Sequence, residues 1–456
     1  MDALFDSVML SRLQLAAMAM VHISFSVLTV GTALFIAVME GLWLKTKDPA
    51  WYGHARFWSR LLLLNFGIGV VTGLPLEFAF GNNWAPFAAK SAFFGEILGT
   101  ETLAAFMLEA GFLGVMVFGW NRVPPKLHFF STCMVVLGSA LSVFWIMVAN
   151  SWMQTPAGGH LAGGIFVIDD YWKAIFSPDL PFAFLHMVLA CLEVGVFVVG
   201  ALSAMYLYFG KNTAFFLKSF KIAVLAAIVV TPLQALIGDV NGQEIGHLQP
   251  AKVAAIESHW VTNNPGEPAA WNMLAWPDPE NERNLFEIRV PYGLSLLITH
   301  SLTGQVKGLK DFPKEDRPPI VLPFYAFRLM VGIGFAMIAV MLWTLWEWKR
   351  GGLAEATAGG RKLLYLAWAL LAAGGYAAVI TGWITREVGR QPWLAYGLIR
   401  LKEGASQLPT SHVGLSLIGF AVAYTILFVV FVTFVAKWLG KGPDLAGMPP
   451  AGHARG

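Results

Sequence analysis

Charge is what this sequence has least of. Of its 456 residues only 13% are Asp, Glu, Lys or Arg, well below the roughly 25% of a soluble domain. So few charges cannot coat a soluble surface, and 57% hydrophobic content with a mean hydropathy of +0.61 assigns the chain to a bilayer. Cysteine is nearly missing as well. Cys133 and Cys191 both fall inside apolar runs, which argues against a disulfide framework, and without a C-x-x-C-H motif no haem is attached covalently. No signal peptide is expected, because the first apolar run, about 13–44, is too long for one. Strand-like alternation is absent. No internal repeat is visible, which counts against an inverted-repeat transporter. A net charge of +3 says little about partners, and no nucleic acid is expected among them.

What is present is a series of apolar segments of at least roughly 18 residues, the length that crosses a bilayer as a helix. About nine are expected: 14–44, 57–80, 93–120, 127–150, 182–209, 218–238, 324–349, 362–386 and 412–438. The fold expected is therefore all-α, a polytopic bundle. It divides into helices one to six (1–238), a long polar loop (239–322), helices seven to nine (323–440) and a tail (441–456). Basic residues sort by loop: Lys45, Lys47, Arg122, Lys126, Lys211, Lys349, Arg350, Lys437 and Lys441 share one side. The positive-inside rule makes that side cytoplasmic, with the N-terminus and the long loop outside and the C-terminus inside.

One turn breaks the rule. TREVGRQPWL, 385–394, puts Arg386 and Arg390 on the outer side, beside Glu387 and Trp393 and just past Trp383. Charges packed round a proline-fixed turn suggest a grip on something anionic and planar.

Ionisable groups within a span are costly and point to function. His22 and His186 lie well inside the first and fifth spans, both toward the outer side. Met330, near the outer end of the seventh, matches the depth of His186. A His and a Met facing each other across a bundle make a low-spin haem iron with a raised potential, and Arg328 is near enough to pair with a propionate. The alternative for each is a satisfied packing residue. In GEILGTETLAAFMLEAGF, Glu101 and Glu109 are eight residues apart, roughly 12 Å along an α-helix and about 80° round it. They can line one side of the bundle at two depths, as a proton path requires; Glu77 and Glu96 are weaker candidates. In the long loop, AKVAAIESHW carries Lys252 and Glu257. A lysine can hold a quinol oxygen and a carboxylate can take its proton, although on the sequence alone two charges on a solvated helix face are the better explanation.

The order of motifs identifies the family. SRLQLAAMAMVH (11–22), FGNNW (80–84), VANSWMQ (148–154), KVAAIESHW (252–260), YAFRLMVG (325–332) and REVGRQPW (386–393) together resemble subunit I of the cytochrome bd-type quinol oxidases over nearly the whole chain. The resemblance implies a bacterial inner-membrane enzyme that oxidises quinol at the outer face. It passes electrons through a low-spin haem b to a high-spin haem b and haem d pair, and reduces oxygen with cytoplasmic protons, building proton motive force without a pump. His186 and Met330 correspond to the low-spin ligands. His22 and Glu387 correspond to ligands of the high-spin pair, with their division between the two haems left open. Glu101 corresponds to a carboxylate beside that pair, and Glu109 with Ser142 in ALSVFW to the proton route. Arg390, Trp383 and Trp393 correspond to residues holding propionates and macrocycles, and Lys252 and Glu257 to the quinol-site pair of the family's Q-loop.

The chain departs from many members in having Ala110 after the second acid of the third span. The short 291–323 segment resembles the short-Q-loop branch, which includes cyanide-insensitive oxidases. Some of that branch carry a third haem b in place of haem d. An oxidase subunit II, a small single-span subunit and membrane lipid are the expected partners. Two rivals stay open on residues alone: a cofactor-free ion-coupled secondary transporter, and a haem b quinol dehydrogenase anchor. The anchor is disfavoured because the intramembrane histidines sit singly on separate spans.

Overall fold

The computed structural model describes residues 6–351, 353 and 359–444. Among them, nine helices are long and apolar enough to cross a membrane: α1 (Ser7–Thr46), α2 (Pro49–Gly81), α3 (Ala92–Phe118), α4 (Pro125–Gln154), α5 (Leu180–Tyr208), α6 (Thr213–Leu248), α7 (Val321–Lys349), α8 (Gly359–Val388) and α9 (Thr410–Lys441). The all-α bundle expected from hydropathy is the fold found. Side-chain caps start the first two helices, with Asp6 accepting from the Met9 amide at 2.7 Å and Asp48 from the Ala50 amide at 2.9 Å. Of the expected tail 441–456, the residues after Asp444 lie outside the described part.

One boundary differs from expectation for a physical reason. The sixth helix does not stop at 238 but continues to Leu248 through DVNGQEIGHL, polar residues that tolerate helix once it leaves the apolar layer. Gln243 donates to the Asp239 carboxylate one turn back at 2.8 Å, a pairing that supports the projecting segment. The long loop therefore opens only at Gln249. It contains a short helix, Pro250–Ile256, and an antiparallel hairpin of β3 (Trp271–Asp278) and β4 (Arg283–Val290). Two smaller hairpins follow the same rule of strands only outside the spans: β1 (Gly159–Ala162) with β2 (Ile165–Ile168), and β5 (Trp393–Ala395) with β6 (Ile399–Arg400). Their short runs escape a search for alternation.

The third helix also departs from regular α geometry. Glu101–Phe106 forms a π-helical turn, so the 80° separation expected for Glu101 and Glu109 does not apply. Such turns recur at functional sites.

Core packing is closest where α1 crosses α5. A Cβ built on Gly31 would stand 2.3 Å from the Cys191 carbonyl oxygen and 2.8 Å from Gly195 Cα. Only two facing glycines let the backbones meet this way. Asn65, buried in α2, is paired across to α1, donating to the Phe25 carbonyl at 2.6 Å and to Thr29 Oγ1 at 2.8 Å. Gly31→Val, whose side chain meets backbone that cannot move aside, is expected to cost at least about 1–3 kcal/mol. It should be read as a lower melting temperature of the detergent-solubilised protein.

Candidate functional site

A cavity of about 430 Å³ opens between α1, α2, α3, α4 and the end of α8, within the range of small-molecule and cofactor pockets. Its wall is mostly apolar. His22, Glu101, Glu109, Ser142, Glu387 and Arg390 supply polar groups, and Trp383 and Trp393 supply flat aromatic surface. Eight of the residues singled out from the sequence thus meet in one space. His22 is held by its Nδ1, 3.1 Å from the Gly69 carbonyl oxygen, and by its Nε2, 3.1 Å from Ser26 Oγ. Gly73 lies across from it, and a Cβ there would come within 2.8 Å of the ring.

The REVGRQPW turn closes one end of the cavity. Glu387 Oε2 accepts from Arg390 at 2.5 Å, while Oε1 accepts from Asn150 at 2.9 Å and from Gln154 at 3.0 Å. Arg386 reaches the other way, donating to Asn150 Oδ1 at 2.6 Å and pairing with Asp179 at 2.5 Å. Burial pushes the Asp179 carboxyl up, yet the Arg386 guanidinium carries it below the ordinary carboxylate range. Asn150, Gln154 and Asp179 were missed as individual residues by sequence reasoning. The first two stand in the VANSWMQ motif, which was a signal; Asp179, in an ordinary loop, offered none.

Lys252 is not on a solvated face. It is 3% exposed, and its Nζ donates to Gln154 Oε1 at 2.6 Å. Burial, with Arg386 and Arg390 nearby, drives its pKa well below that of a free lysine. Its stem packs against Gly389, where a Cβ would lie 2.9 Å from Lys252 Cγ. Gln154 therefore joins Lys252 to Glu387, accepting from one and donating to the other. Glu257, also 3% exposed, forms a separate site by pairing with Arg328 at 2.5 Å. Burial raises its pKa, and Arg328 pulls partly back. Arg328 also donates to the Asn272 carbonyl at 2.7 Å and stacks over Phe324 and Trp271. It sits with the loop carboxylate, where the sequence had suggested a propionate.

Glu101 and Glu109 lie at the cavity wall, each held by a hydroxyl of α4. Ser142 donates to Glu101 at 2.5 Å, and Ser139 donates to Glu109. The sequence grouped Ser142 with Glu109 on one proton route without pairing them; the serine on Glu109 is Ser139, which was not singled out.

His186 and Met330 lie outside the cavity lining. The His186 ring is buried, its Nδ1 has no partner, and Gly238 of α6 faces it, with a built Cβ 3.1 Å from the ring. Met330 Sδ faces Gly382 of α8, 3.0 Å from a built Cβ. Among the described residues no three His, Cys, Asp or Glu side chains converge, so a bare ion has no cage. A porphyrin brings four nitrogens of its own and needs one protein ligand per face. Single ligands facing glycines, flat aromatic walls and buried arginines fit that group.

Fold and site define an integral membrane protein with charged, acid-lined cofactor space near one end of a helical bundle. The chain belongs to the cytochrome bd terminal oxidase subunit I family, whose profile matches residues 10–443. It is 35% identical over 453 residues to cytochrome bd ubiquinol oxidase subunit 1 of Bacillus subtilis (strain 168), covering 96% of this chain and 95% of that protein. It is 31% identical over 510 residues to cytochrome bd-II ubiquinol oxidase subunit 1 of Escherichia coli (strain K12), covering 97% and 98%. The solved bd oxidase of Geobacillus thermodenitrificans matches with a TM-score of 0.86 and 29% identity, over 96% of this chain and 99% of that one.

Arg386→Ala leaves Asp179 buried and unpaired, a change expected to cost about 3–5 kcal/mol. Arg386→Ala with Asp179→Ala should cost less than the two single changes summed, as thermal unfolding of the four-member cycle would show.

Proposed function

We propose that this chain is the haem-bearing catalytic subunit of an electrogenic quinol:oxygen oxidoreductase. The observation that carries it is the convergence of His22, Glu387 and Arg390 on one apolar cavity, with Lys252 hydrogen-bonded into the same cluster through Gln154. His186 and Met330 would hold a low-spin haem b, and His22 and Glu387 a high-spin pair, either haem b with haem d or two haems b. Bound haem supplies the electron path from quinol to oxygen and the place where oxygen is reduced. Glu387 Oε2 has Arg390 as its partner. Were Arg390 to hold a propionate instead, that oxygen would be open to serve as a ligand, so one residue would meet both needs.

Quinol is handled by the loop 249–320. Glu257 is buried against Arg328, and its raised pKa suits a base that takes a proton from a quinol hydroxyl. Lys252, buried beside Gln154, donates a hydrogen bond to a quinol oxygen and ties that event to Glu387. Loop charges put this end of the bundle outside the cytoplasm, so protons released from quinol leave outward. Glu101 and Glu109, with Ser142 and Ser139, face the cavity from the side and deliver protons drawn from the cytoplasm. Charge separation follows from which side each proton uses, without a pump. The unit is a multi-pass protein of the bacterial inner membrane. It works with an oxidase subunit II, with a small single-span subunit as a further partner, and lipid covers the rest of its exposed apolar helices.

Purified complex is expected to show haem bands in a reduced-minus-oxidised spectrum. His186→Ala or Met330→Ala should remove the low-spin component while the high-spin signal stays. Colourless wild-type complex from haem-replete cells would overturn the reading and favour a transporter. Quinol oxidation is expected to fall as pH drops through the raised pKa of Glu257, because protonation removes the base. The acid limb should therefore sit above the usual carboxylate range. In Glu257→Gln that limb should vanish along with most of the rate, roughly a hundredfold; a steady-state pH profile reads both.

A further inference from the structure

Another buried carboxylate lies at the other end of the bundle, outside everything assigned above. Glu40, near the last turn of α1, and His128, in the first turn of α4, are 0% and 2% exposed. His128 Nδ1 stands 2.6 Å from Glu40 Oε1, and Thr132 Oγ1 donates to Oε2 at 2.6 Å. His128 Nε2 is buried with no partner, under the Trp120 ring at 4.1 Å. Water is close, since Asn121, Arg122 and Lys126 of the same turn are exposed. Tyr52 and Cys133 are the other titratable groups that feel the charge of Glu40.

Building on the oxidase reading, we propose that Glu40 and His128 form the proton entry relay that feeds Glu109 from the basic side of the membrane. The placement supports it twice. On α4, His128, Thr132, Ser139 and Ser142 follow at i, i+4, i+11 and i+14, one face of the helix. Their side chains hold Glu40, then Glu109, then Glu101 in order along the bundle. On α1, Glu40 shares a face with Thr29, Ser26 and His22, which line the cavity. Between Thr132 and Ser139 the seam rises about 10 Å and is closed by Ile36 and Val135, both 0% exposed. An apolar plug of that length stops leakage and is crossed by a transient file of water.

The step balances without moving electrons. A proton from the basic side binds His128 Nε2, and the imidazolium gives its Nδ1 proton to Glu40, leaving a neutral ring and a neutral acid. Glu40 passes the proton through the water file to Glu109 and returns to carboxylate. To reset, the ring turns so that Nδ1 meets water, gains a proton there while Nε2 gives its own to water, and turns back, with no net proton moved. As a mere staple the pair would be a poor choice, because apolar side chains of similar size avoid the desolvation of both groups and the unpaired nitrogen.

The test uses the whole purified oxidase complex. His128→Ala is expected to slow oxygen reduction roughly a hundredfold, with the haem spectrum and quinol KM unchanged. Added imidazole should restore much of the rate, while pyrazole, a ring of the same size but a far weaker base, should not. Equal rescue by both rings would mean a packing role and overturn the proposal. So would full turnover in His128→Ala or in the isosteric Glu40→Gln. Glu40→Gln also covers the case of a His128 variant that fails to assemble; it is expected to show the same slowing, and a reduced proton uptake by an indicator dye. An intact spectrum in these variants keeps any failure here distinct from failure of the oxidase reading, which a colourless complex alone would signal.

Discussion

Burying charge is the constraint on which this structure depends. Arg386, Glu387, Arg390, Asp179 and Lys252 come from the end of α8, the start of α5 and the loop helix, and they meet at the last turn of α4. Each of them alone would be several kcal/mol worse off out of water. Together, with Asn150 and Gln154 as neutral bridges, they are paired in one arrangement. The pairing specifies how those elements assemble. It also explains why Gln154 is an amide: only a side chain with both donor and acceptor can join the Lys252 ammonium group to the Glu387 carboxylate.

The same helix organises the acids. α4 meets charged partners at its upper end through Asn150, Ser151 and Gln154, and holds Glu101 and Glu109 in its middle through Ser142 and Ser139. Gly138 is what lets α3 approach, since a Cβ there would come within 2.8 Å of Glu109 Cβ. The π turn at Glu101–Phe106 then aims both carboxylates at one face of α4. A carboxyl group held by a hydroxyl can lose or gain a proton without losing its partner, because the hydroxyl can turn from donor to acceptor. Backbone geometry and proton chemistry are thus met by the same few residues.

Much of this was legible in the sequence, and the limits have physical causes. The spans follow from apolar length alone, so all nine were found and the all-α bundle with them. The projecting end of α6 and the β3–β4 hairpin were not, because outside the bilayer hydropathy no longer reports secondary structure. His22, Glu101, Glu109, Ser142, Glu387, Arg390, Trp383 and Trp393 were each visible, and the structure brings them to one cavity. Pairings were the weak point. That Ser142 donates to Glu101, Ser139 to Glu109 and Arg328 to Glu257 was not legible, because partner choice depends on helix register and crossing that one-dimensional spacing does not contain. Lys252 read better as a solvated charge, and only tertiary structure covers it.

One further regularity was beyond sequence reasoning. His22, His186 and Met330 each face a glycine on a neighbouring helix: Gly73, Gly238 and Gly382. No motif links these positions, which are far apart in the chain, and each glycine alone looks like ordinary membrane packing. Placed together they have one consequence. A ring or thioether pressed against bare backbone is fixed from behind without a competing side chain, and the direction opposite the helix is left for a flat partner. Rotamer freedom is lost in folding rather than in binding, which is what a preorganised ligand site requires. The low charge content of the chain leads to the same outcome from another side: Glu40, Glu101, Glu109 and His22 are each held by neighbours close enough to fix their geometry.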